Sequence, residues 1–327
     1  MEKKIMIRWG ILATGTIARK FAKTINSMGD ETQLVACGSR NIEHAKAFAQ
    51  EFSIPKYYDS YEALVQADDV DAIYIATPNS MHFDNMKMCI DAGKHVLCEK
   101  PLTTNAKDAK KIFELAKEKG IFLMEAFWIS MLPMHLKIAQ MIADGVIGEV
   151  KHIRADFGFT VQGERRNRKF DASLGGGALL DIGIYNIGFV AMTLGYHPIK
   201  IQSKVHMSEF GTDDFETMIF EYENGTTASM TVSIGMKIEK EGVIYGTKGS
   251  IRLPDFQQAE KMYIDFYNGI IEEINMPVDI NGFEYQIREA VKCIESGKVS
   301  SSIQTPQNTI SVMEIMDLIR EQWKNKN

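Results

Sequence analysis

Trp9–Ala18 reads WGILATGTIA, a short apolar run that passes into small residues and then into a segment with helical spacing. A dinucleotide-binding turn has this shape: a buried strand, a glycine bend and the amino end of a helix. The fingerprint G-x-G-x-x-G/A is kept only in part, because Ala13-Thr14-Gly15-Thr16-Ile17-Ala18 gives A-x-G-x-x-A. Its three positions ask in turn for a tight bend, a backbone bare of side chain where the pyrophosphate approaches, and close packing of helix on strand. Gly15 meets the second and strictest demand. Ala13 and Ala18 are small enough to approximate the others, with backbone strain expected at Ala13. The first amides of the helix would then face the pyrophosphate.

Whether such a turn works depends on what surrounds it. Apolar periodicity predicts strands at Ile5–Leu12, Leu34–Gly38, Val70–Ala76, His95–Cys98 and Ile121–Met124. Between them it predicts helices at Ile17–Asn26, Ile42–Phe52, Asn79–Ala92 and Ala106–Glu118, two of them stopped by Gly93 and Gly120. This alternation predicts a parallel sheet covered on both faces up to about Glu125. Beyond Phe127 the pattern changes. One more helix, near Leu132–Asp144, precedes segments of period-two alternation such as Ala228, Met230, Val232 and Ile234. Turn dipeptides Asn224-Gly225, Lys248-Gly249 and Asn268-Gly269 separate them, which predicts a mostly antiparallel sheet with one open face. Two helices close the chain, the last opening at Thr305-Pro306 and carrying Val312, Met316, Ile319 and Trp323 on one stripe. The fold class is therefore α/β in residues 1–125, a dinucleotide-binding domain, followed by an α+β domain over 126–327. The helix near 306–324 is a candidate to pack back on the first domain.

The bulk properties agree with that division. A chain of 327 residues and 36.9 kDa exceeds one average core. A net charge of -6 and a pI near 5.7 give no electrostatic footprint for nucleic acid or an anionic membrane. The basic run Arg165-Arg166-Asn167-Arg168-Lys169 reads as a solvated loop. Four scattered cysteines without a C-x-x-C pair suit a reduced, cytoplasmic chain with no zinc site. The opening MEKKIMIRWG is basic and then apolar, but Arg8 interrupts it, so it reads as a first strand and not a leader. No apolar run is expected to reach the roughly 20 residues of a membrane helix.

Three further stretches carry chemistry. The second strand ends VACGSRN, placing Gly38, Ser39 and Arg40 where an NAD site usually has an acid. With no carboxylate to repel a 2′-phosphate, Ser39 could donate to it and Arg40 pair with it, which favours NADP over NAD. The plain alternative is a solvated arginine. HVLCEKPLT (His95–Thr103) sets Glu99, Lys100 and Pro101 at the carboxyl end of a parallel strand, the edge where such sheets bind ligands. A lysine there can bond a substrate hydroxyl or lower the pKa of a neighbouring acid; it can also be an exposed lysine before a loop proline. LGGGALLDIGIYNIG (Leu174–Gly188) puts three glycines ahead of a helix with Asp181 and Tyr185 on one face. A phenol with pKa near 10 needs a cation to serve as a base and less help to serve as an acid. Read as structure only, Asp181 is a turn residue and Tyr185 core.

The pieces ATGTIA, IATPNSMHFD, CEKPLT and GGGALLDIGIY, in this order and spacing, make the chain resemble the Gfo/Idh/MocA family of NAD(P)-dependent oxidoreductases over essentially its whole length. LMEAFW (Leu123–Trp128) and Tyr185 look most like the dimeric dihydrodiol dehydrogenase branch. The resemblance implies an N-terminal Rossmann domain, a C-terminal domain whose open sheet makes a homodimer, and a nicotinamide over the cleft between them. It implies Lys100 and Tyr185 as acid–base residues, with Asp181 as their polar supporter. Thr77, Pro78, Asn79 and His82 fall in its cofactor segment, and Glu99 accompanies the lysine. Trp128 and Phe157 would line the pocket for nicotinamide and substrate. The implied reaction moves a hydride between nicotinamide C4 and a carbinol carbon of a sugar, polyol, cyclic diol or dicarbonyl, without a metal. One departure is Ser130, where related branches have arginine in W-x-R. Two other readings stay open: a regulator that binds the cofactor without turnover, expected to have lost Lys100 or the Asp181–Tyr185 pair, and an enzyme that keeps its cofactor while cycling between two sugars. The substrate pocket is expected to depend on loops Thr160–Ser173 and Asp279–Tyr285, with Arg166, Arg168 and Asn186 as candidate donors.

Overall fold

In the first βαβ unit, buried apolar strands alternate with one-sided helices. β1 (Arg8–Leu12), α1 (Thr16–Ser27) and β2 (Gln33–Gly38) follow the expected order, then α2 (Ile42–Phe52), β3 (Lys56–Tyr58) and α3 (Tyr61–Val65). β4 (Ala72–Ile75), α4 (His82–Asp91), β5 (His95–Glu99), α5 (Ala106–Lys119) and β6 (Leu123–Ala126) complete the series. The computed structural model describes residues 6–163 and 168–324. All six strands run parallel in the order β3-β2-β1-β4-β5-β6. The order reverses between β1 and β4, which opens a crevice at their carboxyl ends. Phe21 of α1 stacks on Tyr74 of β4 with ring centroids 3.8 Å apart. The Trp9 indole, fully buried, donates to the Thr32 hydroxyl at 2.9 Å. β3 and α3 escape the sequence reading because three- and five-residue elements are too short to show a period; Ser60 caps α3 by accepting from Ala63 N–H.

The second sheet is built from α6 (Pro133–Ala143), β7 (Val150–Gly158), α7 (Ile184–Leu194), and β8 (Lys200–Met207) through β9 (Asp213–Glu221), β10 (Thr227–Ser233), β11 (Gly242–Gly246), β12 (Gly249–Leu253), β13 (Lys261–Phe266) and β14 (Ile270–Asn275). The order is β14-β13-β12-β11-β7-β10-β9-β8, with β7 and β10 parallel and every other pair antiparallel. α7 lies on one face, against β7 and β10. Along β10, Ala228, Met230 and Val232 point to that covered face, while Thr227, Ser229 and Thr231 sit half-exposed on the other. The expectation of no membrane-length apolar run needs correction. An 18-residue window within Ala172–Leu194, the stretch that includes a π-helical turn and α7, has a mean hydropathy of 1.5 and is apolar enough by composition to cross a membrane. Its apolarity belongs to a core helix, because 78% of that window is buried.

The chain closes with α8 (Phe283–Glu295) and α9 (Pro306–Lys324). Met1–Thr103, Lys107–Trp128 and Asp279–Thr309 form one compact unit; Thr104–Ala106, Ile129–Val278 and Ile310–Asn327 form the other. The sequence boundary, one domain over 126–327, therefore differs at Asp279–Thr309. The stripe Phe283, Ile287, Ala290 and Val291 buries α8 in the first unit, where it touches α1. Arg288 also grips Glu31 through Nε at 2.7 Å and Nη2 at 2.9 Å. Most of α9 falls in the second unit, where Gln322 bonds Ser203 and the Ile201 carbonyl. It also holds residues of the 1–125 segment: Arg320 donates to the Thr104 carbonyl, Asp317 accepts from Ala106 N–H and Thr309 donates to Glu125. Local periodicity reports that a helix has an apolar face, not which distant segment will cover it.

Candidate active site

At the carboxyl end of β1, Ala13 takes the bend with φ 79, the left-handed region that L-residues rarely adopt. Its N–H is fixed by the Gly38 carbonyl at 3.0 Å, so the strain expected there is present. Gly15 then serves as N-cap of α1, and no side chain caps the helix. Among the described residues, a Cβ at Gly15 would meet no atom within 4 Å, so packing against them does not require this glycine. Thr14, Gly15, Thr16 and Ile17 are exposed or half-exposed at the amino end of α1, whose first amides would face a pyrophosphate. At the neighbouring tip of β2, Ser39 Oγ accepts from Asn41 N–H at 3.3 Å and keeps its own proton to donate. Arg40 is exposed and reaches the Tyr61 hydroxyl.

Across the switch point, the segment after β4 divides its labour. Pro78 and Asn79 are half-exposed and lead into a 3-10 turn, Asn79–Met81, which delays α4 to His82. Thr77 and His82 instead turn inward. Thr77 Oγ1 accepts from Asn85 at 3.0 Å. The two ring nitrogens of His82 face the Pro101 carbonyl at 2.8 Å and the Thr77 carbonyl at 3.0 Å. Burial lowers the His82 pKa, against the pull of the two carbonyls, and the side chain is turned inward between two loops and is not presented to a ligand. Lys100 follows β5 and is half-exposed, with a cis peptide to Pro101. Its neighbours are pinned on both sides: Pro101 by His82, and Leu102 by Glu125, which accepts its N–H at 2.9 Å. Glu125 also accepts from Thr309 at 2.8 Å and Gln304 at 3.1 Å. Glu99 is buried under Lys100 and accepts from the Tyr74 hydroxyl. Burial raises its pKa, against the pull of Tyr74, Lys100 and Lys20.

In the second unit, Asp181 lies in a π-helical turn, Leu179–Gly183, that runs into α7 and Tyr185. Such turns are rare and recur at functional sites. Asp181 pairs with Lys169, both side chains largely buried at 19% and 15% exposure. That pairing corrects the reading of Lys169 as one of a run of solvated charges; Arg165, Arg166 and Asn167 lie outside the described residues, and Arg168 is exposed. Lys169 Nζ also lies 5.1 Å from the Phe159 ring centroid. Tyr185 is 5% exposed and faces Phe157, whose ring centroid is 6.4 Å away. Phe157 stands edge-on to Phe256 at 6.3 Å, giving an aromatic wall. Asn186 is not a substrate donor: it is fully buried and its amide donates to the Ala155 carbonyl at 2.7 Å.

Trp128, in the first unit, is 5% exposed and packs against Phe283 with centroids 5.4 Å apart. Lys20 Nζ stands 4.1 Å from both ring centroids. Ser130 is buried, and the cation beside Trp128 comes from α1. Neither Lys20 nor Phe283 carried a signal in the sequence, since each looks like an ordinary helix residue; Glu125 stood in the quoted LMEAFW but gave no sign of its brace.

Comparison with known proteins agrees with this geometry. Residues 7–127 match the oxidoreductase family with an NAD-binding Rossmann fold, and residues 135–252 match the Gfo/Idh/MocA C-terminal domain. The trans-1,2-dihydrobenzene-1,2-diol dehydrogenase of Xenopus laevis is 34% identical over 328 residues, 96% of this chain and 97% of that protein. The Homo sapiens enzyme of the same name is 32% identical over 327 residues, 96% of each. Among solved structures, a 3-ketoreductase from Actinomadura kijaniata with NADP and TDP-benzene superposes with a TM-score of 0.88 at 27% identity, over 97% of this chain and 98% of that one. An aldose-aldose oxidoreductase from Caulobacter crescentus shares the fold, with a TM-score of 0.88 at 22% identity and 99% coverage of each chain. The dinucleotide turn at Gly15, the lysine after β5 and the tyrosine heading α7 thus lie in a chain alike from end to end to known oxidoreductases, and the protein belongs to the Gfo/Idh/MocA family of NAD(P)-binding oxidoreductases.

Proposed function

We propose that the protein is an NADP-dependent dehydrogenase that oxidises a secondary carbinol of a cyclic vicinal diol or a sugar, and reduces the corresponding carbonyl in reverse. The observation that carries the reading is Tyr185, buried against the Phe157–Phe256 wall in a chain similar throughout to dihydrodiol dehydrogenases. The nicotinamide would supply or accept the hydride. The Tyr185 phenol gives or takes the hydroxyl proton, and Lys100 shares the acid–base role, as the family resemblance implies for both. Asp181, neutralised by Lys169, keeps its end of the π-turn ordered. The A. kijaniata ketoreductase has been solved with a lysine or a tyrosine replaced, the same two residue types. Cofactor preference rests on Ser39 and Arg40 at the tip of β2, and on the NADP held by that relative. An enzyme is favoured over a cofactor-binding regulator because Lys100, Asp181 and Tyr185 are all kept.

We also propose a homodimer through the open face of the second sheet, where Thr217, Ile219, Ser229 and Thr231 leave an uncharged strip and Ile219 is 47% exposed. Four buried thiols suit the reducing cytoplasm. The test is fluorescence titration with NADPH and NADH, followed by an absorbance screen with NADP and trans-dihydrodiols, aldoses and dicarbonyls, with mass from light scattering. Tight NADPH binding with turnover of a diol or sugar is expected. Binding without turnover of any class would move the reading to the regulator.

A further inference from the structure

β9 carries a feature that serves neither the cofactor turn nor the catalytic residues directly. Its inward side chains Glu216, Met218 and Phe220 are at most 1% exposed. Simple alternation would send Asp214 inward next. The pairing with β8 instead slips: His206 faces Phe215 but Met207 faces Asp213, leaving Asp214 as the extra residue of a bulge. Bulges re-aim side chains and recur beside active sites. Here the bulge turns Asp213 to the same buried side as Glu216 and leaves Asp214 paired with the exposed His206.

Asp213 Oδ2 accepts the Leu179 N–H at 2.6 Å. Leu179 is the first residue of the π-turn that holds Asp181 and leads to Tyr185. Gly177, at φ 117, lets the backbone approach so closely; a methyl there would collide with the Asp213 carboxylate. Glu216 is fully buried, and among the described residues no donor meets hydrogen-bond geometry with either of its oxygens. The groups that bear on them are the Asp213 carboxylate and the Leu179 amide, with Arg320 of α9 as the opposite charge. Burial first, and the Asp213 charge next, push the Glu216 carboxyl well above the usual range. Two carboxyls this close, sealed from water, hold one proton between them.

We propose that Glu216 is held as a neutral acid donating its proton to Asp213, and that this carboxyl pair positions the π-turn bearing Asp181 and, beyond it, Tyr185. Glu216 touches no reacting atom; it is a positioning residue, and its effect on turnover rests on the acid–base reading of Tyr185. Two measurements are independent of activity. Infrared spectroscopy of the wild type at neutral pH should show a protonated-carboxyl band that Glu216→Gln removes. Amide exchange should be slow at Leu179 in the wild type and in Glu216→Gln, which keeps a donor to Asp213, and at least tenfold faster in Glu216→Leu. Turnover should follow the same order, with kcat within about twofold of wild type for Gln and about tenfold or more lower for Leu, while KM for NADPH is unchanged. Stability should depend on pH through the same carboxyl. A carboxyl with a raised folded pKa contributes fully below its unfolded value, and that contribution is lost as pH rises toward the folded one. Glu216 should therefore make the folding constant fall by up to about tenfold per pH unit above the ordinary carboxylate range. Glu216→Gln should remove that share of the slope while leaving the share from the buried Glu99 and Glu125. Absence of the wild-type band overturns the protonation state. Equal Leu179 exchange or equal kcat in the Gln and Leu variants overturns the positioning role. Failure of the Tyr185 reading would show separately, as full turnover by Tyr185→Phe.

Discussion

Gly15→Val separates what the fold needs from what the cofactor needs. Gly15 has φ -76 and ψ -173, extended backbone open to any residue, and a Cβ there meets no atom of the described residues within 4 Å. The substitution should therefore leave the apo protein intact, at a cost of at most about 1 kcal/mol for changing the N-cap residue. For NADPH the balance reverses. The branched side chain fills the space over the uncapped α1 amides, and one lost charge-assisted hydrogen bond, worth about 1.5–3 kcal/mol, combines with about 1 kcal/mol of helix-dipole attraction. The sum, roughly 2.5–4 kcal/mol, corresponds to a loss of affinity of about sixty- to seven-hundredfold. Thermal unfolding with and without NADPH reads both effects together. The wild type, at ligand about a hundredfold over its Kd, should gain about 2.7 kcal/mol, and the variant almost nothing. A variant that binds NADPH like the wild type, or one that unfolds by several kcal/mol without ligand, would refute the reasoning.

Other expectations follow from single observations. Ala13→Gly removes a left-handed alanine at φ 79, so the Tm of the apo protein should rise by about 2–4 °C for a gain near 1 kcal/mol; no rise would show that the bend is unstrained. Arg40→Ala should weaken NADPH binding by about ten- to a hundredfold and NADH binding by less than twofold. Equal losses for both nucleotides, by titration, would remove the 2′-phosphate role. Leu substituted for Ile219, or Glu for Thr231, bears on the open sheet face: the charged variant should halve the mass seen by light scattering, and the apolar one should not.

Much of the first unit is legible because a parallel sheet writes itself as buried runs punctuated by glycine, and because ligands gather at the carboxyl ends of those runs. Lys100, Gly15 and Arg40 could be placed by that rule alone. Sequence is far less informative about which way a polar side chain turns. His82 and Asn186 sit in promising segments, yet both spend their hydrogen bonds on backbone carbonyls. The Lys169–Asp181 pair spans a loop with no period, and Lys20 meets Trp128 and Phe283 only because α8 returns to the first unit. The bulge at Asp214 leaves no mark in composition, since an extra residue in a strand shows only in its pairing. What stays hidden is long-range partnership, which side-chain spacing along one segment does not encode.

In the proposed reaction Tyr185 moves the proton that accompanies hydride transfer to NADP. That role is tested most directly by mixing NADP-loaded wild type and Tyr185→Phe with a trans-dihydrodiol and following reduced nicotinamide by absorbance in a single turnover. The wild type should form reduced nicotinamide at once, and the variant, binding NADPH with unchanged affinity, should do so at least about a hundredfold more slowly. Equal rates in the two proteins would contradict that role.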